Sequence, residues 1–155
     1  MPRTLLGTLA LPILLAACAG DSAHVVWTRG EAAAQLVGEQ ARALPADAPL
    51  RLGDITPFRW ERLYLLPPGT PSPALLDSLG PAWPPLAGSA PAGRAGEPRL
   101  VFLAGGTVIA AGALPPGAVE VAPELLGRGY APAEAAFRVE RAPGRVPRLA
   151  PRPMP

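Results

Sequence analysis

Arg99-Leu100-Val101-Phe102-Leu103-Ala104-Gly105-Gly106-Thr107-Val108-Ile109-Ala110-Ala111 is the stretch on which the fold turns. Two apolar runs flank a Gly-Gly pair, and both glycines can take the positive φ that a tight turn demands, so the stretch predicts an antiparallel hairpin. A hairpin alone is at best marginally stable in water. Its partners have to come from either side. Upstream, Phe58-Arg59-Trp60-Glu61-Arg62-Leu63-Tyr64-Leu65-Leu66 is the densest aromatic and leucine run, closed by Pro67-Pro68-Gly69, and it predicts a further strand. Its alternation breaks at Glu61 and Arg62, where the strand either bulges or becomes covered on both faces. Downstream, Ala135-Ala136-Phe137-Arg138-Val139-Glu140-Arg141 alternates, with Phe137 and Val139 inward and Arg138 and Glu140 outward, as a half-exposed strand should.

Helical spacing occurs in two places. Thr28-Arg29-Gly30-Glu31 matches a capping box, and behind it Ala33, Leu36, Val37, Gln40, Ala41 and Leu44 form a mainly apolar stripe that ends at Pro45. Ser72-Pro73 supplies the cap and first turn of a short helix, which faces Leu75, Leu76 and Leu79 inward and stops at Gly80-Pro81. Both stripes read as core faces. Of the connections, 47–56 has little periodicity, and 84–98 is a Pro/Gly/Ala/Ser stretch whose composition favours disorder. The connection 115–132 holds a short strand candidate at Val119-Glu120-Val121 and a turn of helix at Glu124-Leu125-Leu126. The fold class expected is α+β, a small antiparallel sheet of about four strands with two helices. From residue 142 onward Arg145, Arg148 and Arg152 stand among prolines, which predicts a disordered tail outside the sheet.

At the other end, Met1-Pro2-Arg3-Thr4 precedes a largely apolar run from Leu5 to Leu15, and small residues follow. This is the pattern of a secretory signal. The run is shorter than the roughly 20 apolar residues of a spanning helix, so residues 1–17 are expected to act as an export element. Leu15-Ala16-Ala17-Cys18 resembles the lipobox of bacterial lipoproteins. The resemblance implies that the Cys18 sulfur receives a diacylglyceryl group, that the chain is cut before Cys18, and that the new amino group is acylated, with palmitate as the expected acyl group. Each buried methylene adds about 0.8 kcal/mol, so two or three acyl chains make a lasting membrane anchor. It also implies sorting to the outer membrane, facing the periplasm, since Ala19 follows the cysteine where an aspartate would favour retention. The competing account is a chance cysteine beside an ordinary cleavage site. On the lipobox reading the chain divides into a signal (1–17), a lipidated tether (18–27), an α+β domain (28–141) and a disordered Pro/Arg tail (142–155).

Cys18 is the only cysteine, so an intramolecular disulfide and a cysteine metal cluster are excluded. All 14 basic residues are arginine against 12 acids, and Arg3 leaves with the signal. The mature chain is therefore nearly neutral, which with export argues against a nucleic-acid partner.

The run Phe58 to Pro68, with Leu79-Gly80 and Trp83 behind it and Val101-Phe102-Leu103 and Phe137-Arg138-Val139 in the same order, is similar to a family of small, uncharacterised proteobacterial envelope lipoproteins. Those carry a Phe-x-Trp-Asp-x-hydrophobic-Tyr strand, a Pro-rich turn, a short helix, a Val-Phe hairpin and a final Phe-Arg-Val strand. Glu61 stands where that pattern has aspartate, and Gly69 where it has an aromatic residue. The resemblance implies an envelope address and transfers no activity.

His24 is the only histidine and has no candidate partner for a metal site or a triad. No serine sits in a nucleophile elbow and no glycine loop cradles phosphate, so no catalytic, metal or cofactor residue is assigned. Trp60, Glu61, Tyr64 and Trp83 form the candidate ligand surface, for a sugar or a peptide. The duller accounts are core packing for the aromatics and a local ion pair with Arg59 and Arg62 for Glu61. The expected function is a lipid-anchored, non-catalytic binding or structural role in the cell envelope. Its expected partners are the membrane, through the lipid, and an envelope protein or peptidoglycan. The alternative is a small envelope glycan hydrolase using a carboxylate pair drawn from Asp54, Glu61, Asp77 and Glu97. Whether Trp60, Glu61 and Trp83 line one groove separates the two.

Overall fold

The computed structural model describes residues 17–69, 71–80, 83, 87 and 96–152. The expected export segment up to residue 16 and most of the 84–98 connection lie outside the described residues. In chain order the elements are α1 (Ala17–Ala43), β1 (Pro49–Arg51), α2 (Leu52–Ile55), β2 (Arg62–Leu66), α3 (Pro73–Leu79), β3 (Arg99–Ala104), β4 (Thr107–Ala113), β5 (Glu120–Val121), a 3-10 turn (Pro123–Leu125), β6 (Arg128–Tyr130), β7 (Ala136–Glu140) and β8 (Arg148–Ala150).

The fold is α+β, but with two sheets of four strands where one was expected. Strands β1, β6 and β8 are three residues long, too short to leave a periodic signature, whereas the candidate at Val119-Glu120-Val121 forms as the two-residue β5. One sheet runs β4-β3-β2-β6 and is wholly antiparallel. The other runs β1-β7-β8-β5, antiparallel except where β5 lies parallel to β8.

The hairpin forms as its sequence predicts, with Gly105 and Gly106 at φ of 55° and 71°. Both of its faces are covered. Leu100 and Phe102, opposite Leu65 and Leu63, join a core with Leu50, Phe137, Val139 and Leu149 of the other sheet and with Ala33, Ala34, Val37 and Ala41 of α1. Val101, Leu103 and Leu66 face a second core closed by Trp27, Leu75, Leu79 and Trp83. A bulge places Ile109 between Val108, opposite Leu103, and Ala110, opposite Phe102. Val108 and Ala111 therefore both reach the second core. The short helix starts as expected, with Ser72 Oγ accepting from the Leu75 amide at 3.4 Å and Pro73 in its first turn.

Three expectations are corrected. Helix α1 is already present at Ala17 and continues through Thr28, so Thr28 does not cap it and residues 18–27 are helix, not a separate tether. The cause is tertiary packing: Trp27 is only 4% exposed, and Ala23 and Val26 pack beside it on the second core. The second concerns the tail. Strand β8 lies between β7 and β5, and Leu149 is buried there, because Pro147 and Pro151 flank the three-residue strand instead of interrupting it. The third concerns residues 58–61, which precede β2 and do not belong to it, although the Glu61 amide still donates to the Leu103 carbonyl at 2.8 Å.

Helix α1 passes from one core to the other across the outer strand β4. At the crossing Gly30 and Gly112 meet backbone to backbone: a Cβ on Gly30 would lie 2.0 Å from the carbonyl carbon of Ala111, and one on Gly112 2.2 Å from that of Gly30. Arg29 Nη1 donates to the Ile109 carbonyl at 3.2 Å, and Glu31 Oε1 accepts from the Ala113 amide at 3.1 Å. The helix thus takes up polar groups of the strand edge on both sides of the contact. It ends before Pro45, as expected, where the Arg141 guanidinium donates to the carbonyls of Ala41, Arg42 and Leu44.

Candidate functional site

The four residues of the candidate surface do not converge. Trp60 is 7% exposed and belongs to the core shared by the two sheets, its ring edge-on to Phe102 at 5.4 Å between centroids. Its indole Nε1 donates to Thr56 Oγ1 at 2.9 Å, and that hydroxyl donates to the Leu52 carbonyl at the same distance, so the polar edge of the ring fastens the end of α2. Trp83 is 1% exposed and lies in the second core, 6.2 Å from Trp27. Val101 and Phe102 are neighbours on one strand, and successive side chains on a strand point to opposite faces. That pleat separates Trp60 from Trp83.

Glu61 is exposed, and its Oε2 accepts from the Gly105 amide at 3.0 Å. The carboxylate therefore holds the hairpin turn, where a local pair with Arg59 or Arg62 was the expectation. Arg62 instead reaches Glu134, at 3.9 Å between exposed groups, a pair that contributes at most about 1 kcal/mol. Tyr64 is half-buried against the second core and borders a cavity of about 400 Å3 with Arg62, Ser72 and Ser78. Of the four, Tyr64 alone borders a described cavity.

Surface cavities of about 310 to 460 Å3 lie among the described residues. Their carboxylates are Asp47, Glu120 and Glu140 in one, Asp54 in a second and Glu134 in a third. None joins two of Asp54, Glu61, Asp77 and Glu97, which a paired-carboxylate mechanism would need within about 5 to 9.5 Å. His24 is an exposed residue of α1, and among the described residues no three of His, Cys, Asp and Glu converge as a metal set.

The largest of these cavities, about 460 Å3, is a charged groove that sequence reasoning missed. Along it runs an alternating chain of charges: Asp47 to Arg138 at 3.5 Å, Arg138 to Glu140 at 2.6 Å, Glu140 to Arg148 at 3.7 Å and Arg148 to Glu124 at 3.9 Å. Glu140 and Arg148 are cross-strand partners on β7 and β8. The chain is illegible until residues 148–150 are known to form a strand. Most of its charges satisfy one another, and the Arg145 side chain, exposed at the rim, makes no ion pair among the described residues.

Tyr130 lies beside a further cavity, its hydroxyl donating to the Leu125 carbonyl at 2.9 Å and its ring edge-on to Phe137 at 5.2 Å. Burial pushes its pKa above the ordinary tyrosine value, against the opposing charge of Arg128. Compared with known proteins, the chain matches no family model, no curated protein and no solved structure.

Proposed function

We propose that the chain is a bacterial envelope lipoprotein: Cys18 carries the lipid, the membrane is the outer one, and the α+β domain binds or supports another envelope component without catalysing a reaction. The observation that carries this reading is Leu15-Ala16-Ala17-Cys18 at the end of an apolar segment of export length. A cysteine suits that place because its sulfur is the best soft nucleophile among the side chains for alkylation at a membrane surface. The non-catalytic half is supported by the separation of Trp60, Glu61 and Trp83 and by the engagement of the Glu61 carboxylate with the Gly105 amide. Partners of the kind expected are an envelope protein or peptidoglycan.

Mass spectrometry of protein purified from its native host tests the anchor. A thioether-linked diacylglyceryl group on an amino-terminal Cys18 is expected, and an unmodified thiol there, or product released into the medium, would refute it. For the binding role, crosslinked cells should yield a reproducible protein or glycan partner on pull-down, and repeated recovery of none counts against it.

A further inference from the structure

Among the described residues one large hydrophobic side chain stands open to water: Val25, 50% exposed. With Ser22, Val26 and Arg29 of α1 and Val108 and Ile109 of β4 it lines a shallow cavity of about 380 Å3. Successive spacings of four, three and four residues put positions 18, 22, 25 and 29 on one stripe of the helix. Helix α1 is continuous from Ala17 and is fixed to the domain at Trp27 and at the Gly30–Gly112 crossing. A lipid on Cys18 is then joined to the core through a rigid rod and not through slack chain. At about 1.5 Å per residue, position 18 lies about 10 Å from Val25 along the axis. A helix resting in a membrane interface sinks its apolar face about 5–10 Å into the headgroup boundary, so a helix lying along the surface brings Val25 to that boundary. A helix standing upright would lift it into water.

We propose that the stripe of Ser22, Val25 and Arg29, with Ile109 beside it, rests on the headgroup boundary of the bilayer, so that the anchor holds the domain flat in one orientation. The proposal rests on the reading of Cys18 as lipidated. Arg29 is exposed at the end of the stripe remote from Cys18, where its charge suits lipid phosphate, and it is held there by the Ile109 carbonyl and by the Phe58 ring at 5.7 Å. The apolar patch is too small to bind a membrane unaided. It orients a domain that the acyl chains retain.

Because Cys18 is the only native cysteine, Val25→Cys gives the lipidated chain a single free thiol. A nitroxide attached there is read in full-length lipidated protein reconstituted into vesicles of phosphatidylethanolamine and phosphatidylglycerol. Collision with oxygen, relative to a water-soluble nickel chelate, is expected to be severalfold higher than for a label at Arg145→Cys. Ser22→Cys, a second exposed position on the stripe, guards against a local disturbance at Val25 and should give the same result. Ratios at 22 and 25 equal to that at 145 would overturn the proposal. The mass of the labelled protein separates the two failures: an unlipidated Cys18 sinks the anchor and this orientation together, whereas a lipidated chain with a water-exposed position 25 sinks the orientation alone.

Discussion

The two outer strands of the β4-β3-β2-β6 sheet are protected by different means. Strand β4 has seven residues, long enough to template pairing with another chain, and a helix lies across it backbone to backbone, with Arg29 and Glu31 on its edge groups. Strand β6 has three residues and is shielded by side chains: the Tyr64 ring lies over Gly129, its cross-strand partner, and the Tyr130 hydroxyl ties the strand to the Leu125 carbonyl. A Cβ would meet an obstacle at both edges, of unlike kinds. At Gly30 the obstacle is main chain, which cannot yield without moving a helix off a sheet. At Gly129 it is the end of a half-buried ring, which can turn.

Gly30→Ala should break this contrast most visibly. Overpacking costs about 1–3 kcal/mol and sometimes more, and an opposing backbone at 2.0 Å puts this case at the upper end or beyond. Helix propensity alone gives the opposite sign, since alanine is better than glycine in a helix interior by about 1 kcal/mol. A lowered urea midpoint therefore decides for the crossing, and a raised one against it. Gly112→Ala should cost a similar amount, and the double variant less than the sum, because a helix lifted by the first methyl makes room for the second.

Gly129→Ala is the milder change. A Cβ there would lie 2.8 Å from Tyr64 Cε1, a contact that the ring can relieve by rotation, so the loss should be about 1 kcal/mol. In a Tyr64→Ala background the same substitution should cost little, because the remaining neighbour, Arg62 Cδ at 3.3 Å, belongs to an exposed chain that can shift. A loss as large as that of Gly30→Ala, or one that survives removal of the ring, would show that β6 is as rigidly held as β4.

The parts legible in the sequence are those fixed by neighbours in the chain. Gly105-Gly106 announces its own turn, Ser72-Pro73 its own helix start, and the alternation of Phe137 and Val139 its own inward face. What escaped depends on distant partners. The apolar stripe of α1 changes face at Gly30, where the helix leaves one core for the other, so a template with a single stripe sees only its second half. The site was over-read for the same reason. Composition marks Trp60 and Trp83 as large and apolar but cannot tell that Phe102 and Val101 carry them to opposite faces, or that Glu61 serves an amide 44 positions away.

The effect at Tyr130 depends on pH, and its sign tests whether a half-buried hydroxyl pins β6. Burial raises its pKa in the folded chain above the unfolded value near 10.0, so the native state holds the proton more tightly. Stability is then complete below pH 10.0 and falls as the pH climbs past it, because the unfolded chain ionises first. Tyr130→Phe removes both the hydrogen bond to Leu125, a loss of about 1 kcal/mol at neutral pH, and this alkaline decline. Urea midpoints measured from neutral pH to beyond pH 10.0 should therefore start lower for the variant and draw level with the native chain as the pH rises. Curves that coincide at every pH would mean that the hydroxyl contributes nothing in the folded protein, and that β6 is held by ladder pairing with β2 and by the contact of the Tyr130 ring with Phe137.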